Sequence, residues 1–193
     1  MNYLLSFLIA TNLLFTEKDF SIKDHKSLND SIINYIETNP NKSLDYGFEI
    51  LKLADLSNPN RELVSTYNLI GQILTNKKLY AEALSYFSEA LKAFKLVENG
   101  RFDHEKKINQ PPWVLINISN LYYAIGEIED AKLKVKEAKT NFLLYEDQRK
   151  REIGLNTVLG NLGLFSAYEK DYLTTKNLYL NVLNSRKKIE DFD

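Results

Sequence analysis

Apolar residues along the chain recur at intervals of three and four: Leu28, Ile32 and Ile36; then Leu44, Phe48 and Leu51; then Leu115, Ile118, Tyr122 and Ile125. That spacing gathers side chains on one face of a helix. No stretch alternates polar and apolar residues long enough to support a sheet. The four prolines, Pro40, Pro59, Pro111 and Pro112, fall between the periodic stretches, where a residue that cannot donate a backbone hydrogen bond does least harm. The pattern predicts an all-α chain of paired antiparallel helices, with one longer loop over residues 97–112.

Paired helices invite a search for an internal repeat, and one is present. In residues 67–91, YNLIGQILTNKKLYAEALSYFSEAL, the residues Tyr67, Ile70, Gly71, Leu74, Tyr80, Ala83, Phe87 and Ala90 follow the spacing aromatic-x2-L-G-x2-Y, then A-x3-F-x2-A. Leu115, Ile118, Tyr122, Gly126, Ile128, Ala131, Val135 and Ala138 take the same places in a second copy, with Ser119 replacing the first glycine. A third copy keeps Leu159, Leu162, Gly163, Tyr172 and Tyr179 but departs at Ser166, Thr175 and Val182. Residues 39–54 read as the second helix of a more degenerate copy, with Ser43 where alanine belongs.

The signature has a physical reason. Ala131 and Ala138 stand seven residues apart on one helical face, so their small side chains let the partner helix approach while Val135 and Tyr122 fill the gaps. Gly126 is placed just past a helix end, where an unhindered left-handed residue turns the chain, and Glu127 opens the next helix at the positive end of its dipole. Glu127, Glu129 and Asp130 are therefore read as solvated helix-start residues rather than catalytic carboxylates. Gly160 and Gly163 in LGNLG fall inside a helix and are read as sites of close helix packing, not as a nucleotide loop.

Over roughly residues 25–190 the pattern strongly resembles the tetratricopeptide repeat. The resemblance implies a right-handed α-solenoid of about four antiparallel helix pairs, a repeat domain over 25–193, and a concave groove lined by the first helix of each pair. The steps from Gly71 to Ser119 and on to Gly163 are 48 and 44 residues, against about 34 for the standard unit. The extra length is expected in extended second helices or connecting loops. Stretched copies of this kind resemble those of bacterial sensor and regulator proteins, where the array is joined to a kinase or helix-turn-helix output; such an output module is missing from these residues.

Composition removes several alternatives. The chain has 193 residues, is 44% apolar, and balances 25 basic against 26 acidic residues for a net charge of -1. One domain is the natural reading of that length. The only local basic excesses are Arg149-Lys150-Arg151 and Arg186-Lys187-Lys188, the latter followed by Glu190, Asp191 and Asp193, so no nucleic-acid footprint is present. With no cysteine there is no disulfide framework, thiolate metal site or cysteine nucleophile. The histidines, His25 and His104, lie in polar surroundings without a catalytic or metal-binding motif, so neither enzyme activity, a cofactor nor a metal is expected.

Residues 1–15, MNYLLSFLIATNLLF, are nearly all apolar but too short to span a bilayer. Two readings of residues 1–20 stand: a signal segment, which would place the protein in the periplasm or outside the cell, or a helix that caps the array in a cytoplasmic protein.

The resemblance also says where a partner would bind. Carried onto this sequence, the groove positions are Asn68, Gln72, Asn117, Asn120 and Asn161. Side-chain amides donate and accept together, which suits the backbone of an extended peptide. Trp113 and Tyr123, from the helix that bears Asn117 and Asn120, add apolar or stacking surface. Ile116 and Thr157 stand where the carboxylate-clamp class of the family has lysine, so chaperone-tail binding is disfavoured. The expected function is a protein- or peptide-binding scaffold, the sensory or interaction part of a bacterial signalling or regulatory protein. The alternative is a structural adaptor that self-associates through its C-terminal end, where the last helix, with Tyr172, Tyr179, Val182 and Ile189, has no polar cap after it.

Overall fold

The computed structural model describes residues 22–101, 108 and 110–190. The apolar opening stretch and His104 lie outside these residues, and of His25 only its place in the first helix is described. Eight helices follow one another among the described residues: α1 (Ile22–Tyr35), α2 (Pro40–Leu53), α3 (Arg61–Asn76), α4 (Tyr80–Arg101), α5 (Pro112–Ile125), α6 (Ile128–Phe142), α7 (Gln148–Tyr168) and α8 (Tyr172–Glu190). No strand occurs among the described residues. The all-α expectation therefore holds.

Local sequence explains where the helices begin. Asn39 accepts from the Lys42 amide at 3.1 Å, Asn60 from Leu63 at 2.8 Å, Asp147 from Lys150 at 2.9 Å and Asp171 from Thr174 at 3.1 Å. Each side chain thereby takes up an amide that the helix cannot pair internally. Pro40 and Pro112 stand in the first turn of α2 and α5, where a fixed φ suits the helix and no donor is missed.

The turns inside the last three pairs are the same turn. After α5, Gly126 adopts φ +88 and the Glu127 amide donates back to the Tyr122 carbonyl at 2.9 Å. After α3 and α7 the left-handed residue is Lys78 or Lys170, both at φ 63, with Leu79 donating to Leu74 and Asp171 to Ser166, again at 2.9 Å. These are Schellman closures, and only the middle one has the glycine that such a φ favours.

Every helix packs on its chain neighbour, most extensively within the pairs α1/α2, α3/α4, α5/α6 and α7/α8. First helices also meet first helices: α1 with α3, α3 with α5, and α5 with α7. Helix α5 serves two cores. Val114, Ile118 and Leu121 join the cluster built from α1–α4, whereas Leu115 and Ile116 join Val135, Phe142, Val158 and Phe165. Adjacent residues on a helix point to different sides, so one apolar helix fills both.

Three expectations need correction. The loop expected over 97–112 is shorter, because α4 continues to Arg101. The long steps between copies do not sit only in second helices and loops. Between the first two copies the length lies in the 22-residue α4 and the segment after it, but between the next two it extends α7, a first helix of 21 residues, while α6 has 15. The inward face of α2 is also rotated from the one expected: Ser43, Leu44, Gly47 and Ile50 are buried and Phe48 is exposed.

Candidate partner-binding surface

The signature residues meet as close helix contacts. A Cβ placed on Gly71 would fall 2.5 Å from the Phe87 ring, and one on Gly163 would fall 2.9 Å from the Tyr179 ring. Where Ser119 replaces the glycine, its hydroxyl donates to the Ala131 carbonyl at 2.8 Å, so the polar atom is satisfied inside the crossing. Ser43, the residue in place of alanine, makes a similar contact, donating to the Ile32 carbonyl at 2.9 Å. Ala83, Phe87, Ala90, Ala131 and Ala138 are fully buried. Gly163 thus fits the close-packing reading, whereas nothing lies near Gly160.

The groove candidates divide into three groups. Asn117 Nδ2 donates to Asn68 Oδ1 at 2.9 Å, joining α5 to α3. Gln72 is half-buried and Asn120 exposed, one helix turn further along. Asn161 is only 6% exposed, and so lies within α7's packing rather than on an open face. The register accounts for the difference. Asn68 stands three residues before Gly71 and meets Asn117, two before Ser119; the next step sets Ile116 at the place of Asn68 and Asn161 at the place of Asn117. The amide pair has no counterpart there because isoleucine stands in its first position.

The aromatic candidates are partly engaged. Trp113 is exposed at its outer face but meets Phe142 edge-on, with ring centroids 5.0 Å apart. Tyr123 leans on Phe165 at 5.7 Å and Tyr168 at 6.0 Å, linking α5 to α7. Both rings are therefore held in position by aromatic contacts, Trp113 exposed and Tyr123 half-buried.

Polar residues that the repeat pattern did not single out also join the first helices. Buried Asn29 donates to the Glu62 carbonyl at 3.0 Å and accepts from the Thr66 hydroxyl at 2.9 Å, tying α1 to α3. Their signal in the sequence was only asparagine or threonine at a helix position that the apolar pattern places inward. On α7, the Asn156 Nδ2 is buried without a hydrogen-bond partner. Lys132 bridges Glu129 and Glu169, fastening α6 to the end of α7; those carboxylates, Glu169 foremost, hold its ammonium above the usual lysine range. Burial, and then the Glu89 charge, pushes the Tyr67 phenol up. Among the described residues no cluster of acidic or histidine side chains is arranged to hold a metal, and no helix is long and apolar enough to cross a membrane.

The described architecture is that of an all-helical protein built from consecutive helix pairs. Among solved structures, it is similar to BtubC (BKLC) from P. vanneervenii, with a TM-score of 0.66 at 16% sequence identity, over 86% of this chain and 65% of that one. The likeness is one of fold, and this chain spans about two thirds of the length of that protein. No family model and no curated protein sequence matches the chain.

Proposed function

We propose that the helix pairs form a right-handed α-solenoid of the tetratricopeptide-repeat type, and that the chain is a scaffold holding a protein or peptide segment along the surface of its first helices. In this reading it is the interaction part of a bacterial signalling or regulatory protein whose output lies in another module. The observation that carries the proposal is the register. Gly71, Ser119 and Gly163, at equivalent places of their first helices, each lie against the following second helix, at Phe87, Ala131 and Tyr179, and in this reading Gln72 and Asn120, which directly follow Gly71 and Ser119, face the partner together with Tyr123 and Trp113.

The burial pattern refines the expected contacts. Gln72 and Asn120 reach a ligand directly, Asn68 and Asn117 support them as a paired strut, and Asn161 acts inside the fold. An extended backbone needs both donors and acceptors, which amides supply, and flanking rings add apolar contact. Each amide bond lost costs about 0.5 to 1.5 kcal/mol. The test is a pull-down from the native cell with the wild type and with Gln72→Ala and Asn120→Ala combined. Weaker retention of the same partners at unchanged melting temperature is expected; equal retention by both proteins overturns the groove as the binding surface.

A further inference from the structure

Helix α7 sets two features side by side: an amide that nothing satisfies and a residue without a side chain. The Nδ2 of Asn156 is buried and has no hydrogen-bond partner, in a residue only 5% exposed. One turn further on stands Gly160, where an added Cβ would meet nothing within 4 Å. Residues four apart are neighbours on a helix surface. Because helical side chains lean back over the preceding turn, a side chain at 160 would lie over the turn that holds Asn156. Glycine leaves that cover off.

The repeat register shows that this arrangement is particular to α7. Counted from Gly71, Ser119 and Gly163, the place of Asn156 is held by Val64 in α3 and Pro112 in α5, both buried and neither with a side-chain donor to satisfy. The place of Gly160 is held by Asn68, which pairs with Asn117 at 2.9 Å, and by Ile116, which joins the core that includes Val158 and Phe165. In α7 a donor replaces the apolar residue, and open space replaces the side chain. A buried donor without an acceptor and a glycine inside a helix both lower stability. An acceptor entering at Gly160 removes the first of these costs and needs the second.

The chemistry of these residues selects what enters. An amide nitrogen needs an oxygen acceptor. From Ile153 to Tyr168 the helix carries no charged residue, so it offers no cation to a carboxylate or phosphate, and a neutral carbonyl is the better match. Glycine is the residue that lets another main chain come close. Leu164, at the place of Gln72 and Asn120, is 41% exposed and adds apolar contact one turn beyond Gly160. We propose that Asn156, Gly160 and Leu164 form a subsite for an uncharged stretch of polypeptide main chain. A backbone carbonyl of the partner accepts from the Asn156 Nδ2 over Gly160, and an apolar partner side chain rests on Leu164. The subsite rests on the reading of the first helices as the binding surface and extends that surface to α7.

The probe is a synthetic peptide selected on the full wild-type chain from a displayed random library, its binding followed by fluorescence anisotropy. Gly160→Gln should melt at the same or a higher temperature, because the new Cβ meets nothing and glycine is the poorer helix former, yet bind the peptide roughly tenfold more weakly. Asn156→Val, which puts the α3 residue type at this place, should also keep or raise the melting temperature and weaken binding roughly three- to tenfold, the loss of one hydrogen bond. In the wild type the Asn156 side-chain amide resonances, identified by their loss in Asn156→Val, should shift when the peptide is added. Gln72→Ala combined with Asn120→Ala reads the rest of the surface separately. If that pair weakens binding while Gly160→Gln and Asn156→Val bind as the wild type does, the groove stands and the subsite is overturned. If only the α7 variants weaken binding, the subsite stands and the α3 and α5 amides are not the contacts. An Asn156→Val chain that gains stability and binds equally marks the donor as serving an internal water and overturns the subsite, and a library that yields no binder overturns both readings.

Discussion

The pairs α3/α4 and α7/α8 are built on one register and differ in what surrounds them. In each, a glycine of the first helix lies under an aromatic ring of the second, 2.5 Å for Gly71 beneath Phe87 and 2.9 Å for Gly163 beneath Tyr179, measured to a notional Cβ. Phe87 is fully buried, whereas Tyr179 is 40% exposed. Ala83 and Ala90 are sealed, but Thr175 at the place of Ala83 is half-buried. The pair α3/α4 has α1 and α2 on one side and α5 on the other, while α8 has α7 alone among the described residues. The repeat pattern thus specifies geometry, and the neighbours determine how much stability that geometry contributes.

Truncating the two rings separates these contributions most strongly. Phe87→Ala should lower unfolding stability by about 3 to 5 kcal/mol, the usual cost of a fully buried aromatic. Tyr179→Ala should cost about 1 kcal/mol, because much of its surface is already in water. Urea denaturation measures both, and equal losses would mean that α8 is covered in solution.

The glycines give the next largest contrast. Gly71→Ala forces a methyl group into a ring that cannot move, so overpacking of about 1 to 3 kcal/mol outweighs the gain of about 1 kcal/mol in helix propensity. Gly163→Ala meets a ring free to swing outward, and the propensity gain should leave stability equal or higher. If the two substitutions have the same sign of effect, the contrast between buried and open pairs is wrong.

Much of the fold was legible because helix periodicity and the small-residue crossings are local features. The glycine at 126 announced its left-handed turn, but Lys78 and Lys170 adopt the same conformation without a residue that advertises it. The site was legible in part. Of the residues that the resemblance assigns to the groove, Asn120 is exposed and Gln72 half-buried, whereas Asn161, in a first helix of 21 residues, is only 6% exposed. Neither the pairing of Asn68 with Asn117 nor that of Asn29 with Thr66 follows from a pattern read one helix at a time, since both bonds join first helices.

The hairpin turns offer a smaller effect. Lys78→Gly and Lys170→Gly should each raise stability by about 0.5 to 1 kcal/mol by relieving a left-handed conformation, and Gly126→Ala should lower it by a similar amount. Thermal melts that rank these variants otherwise would contradict the shared Schellman turn.

The smallest effect is local. Hydrogen bonds from the Thr174 hydroxyl and amide hold the Asp171 carboxyl below the usual carboxylate range. A depressed folded-state value contributes stability above the unfolded-state value and loses it as pH falls through the folded one. Acidification below the ordinary carboxylate range should therefore fray the start of α8 before the helices of α3/α4 loosen, as read by amide hydrogen exchange. Simultaneous loss of protection in both pairs would show that α8 is not the separate, less supported element.

The most direct test of the account is to place a photo-cross-linking amino acid at Asn120, on the open side of a first helix, and separately at Lys136, exposed on a second helix. In the native cell the Asn120 position should capture a partner that the Lys136 position does not, and Gln72→Ala in the same chain should reduce that capture. Capture from Lys136 with none from Asn120 would contradict binding along the first helices.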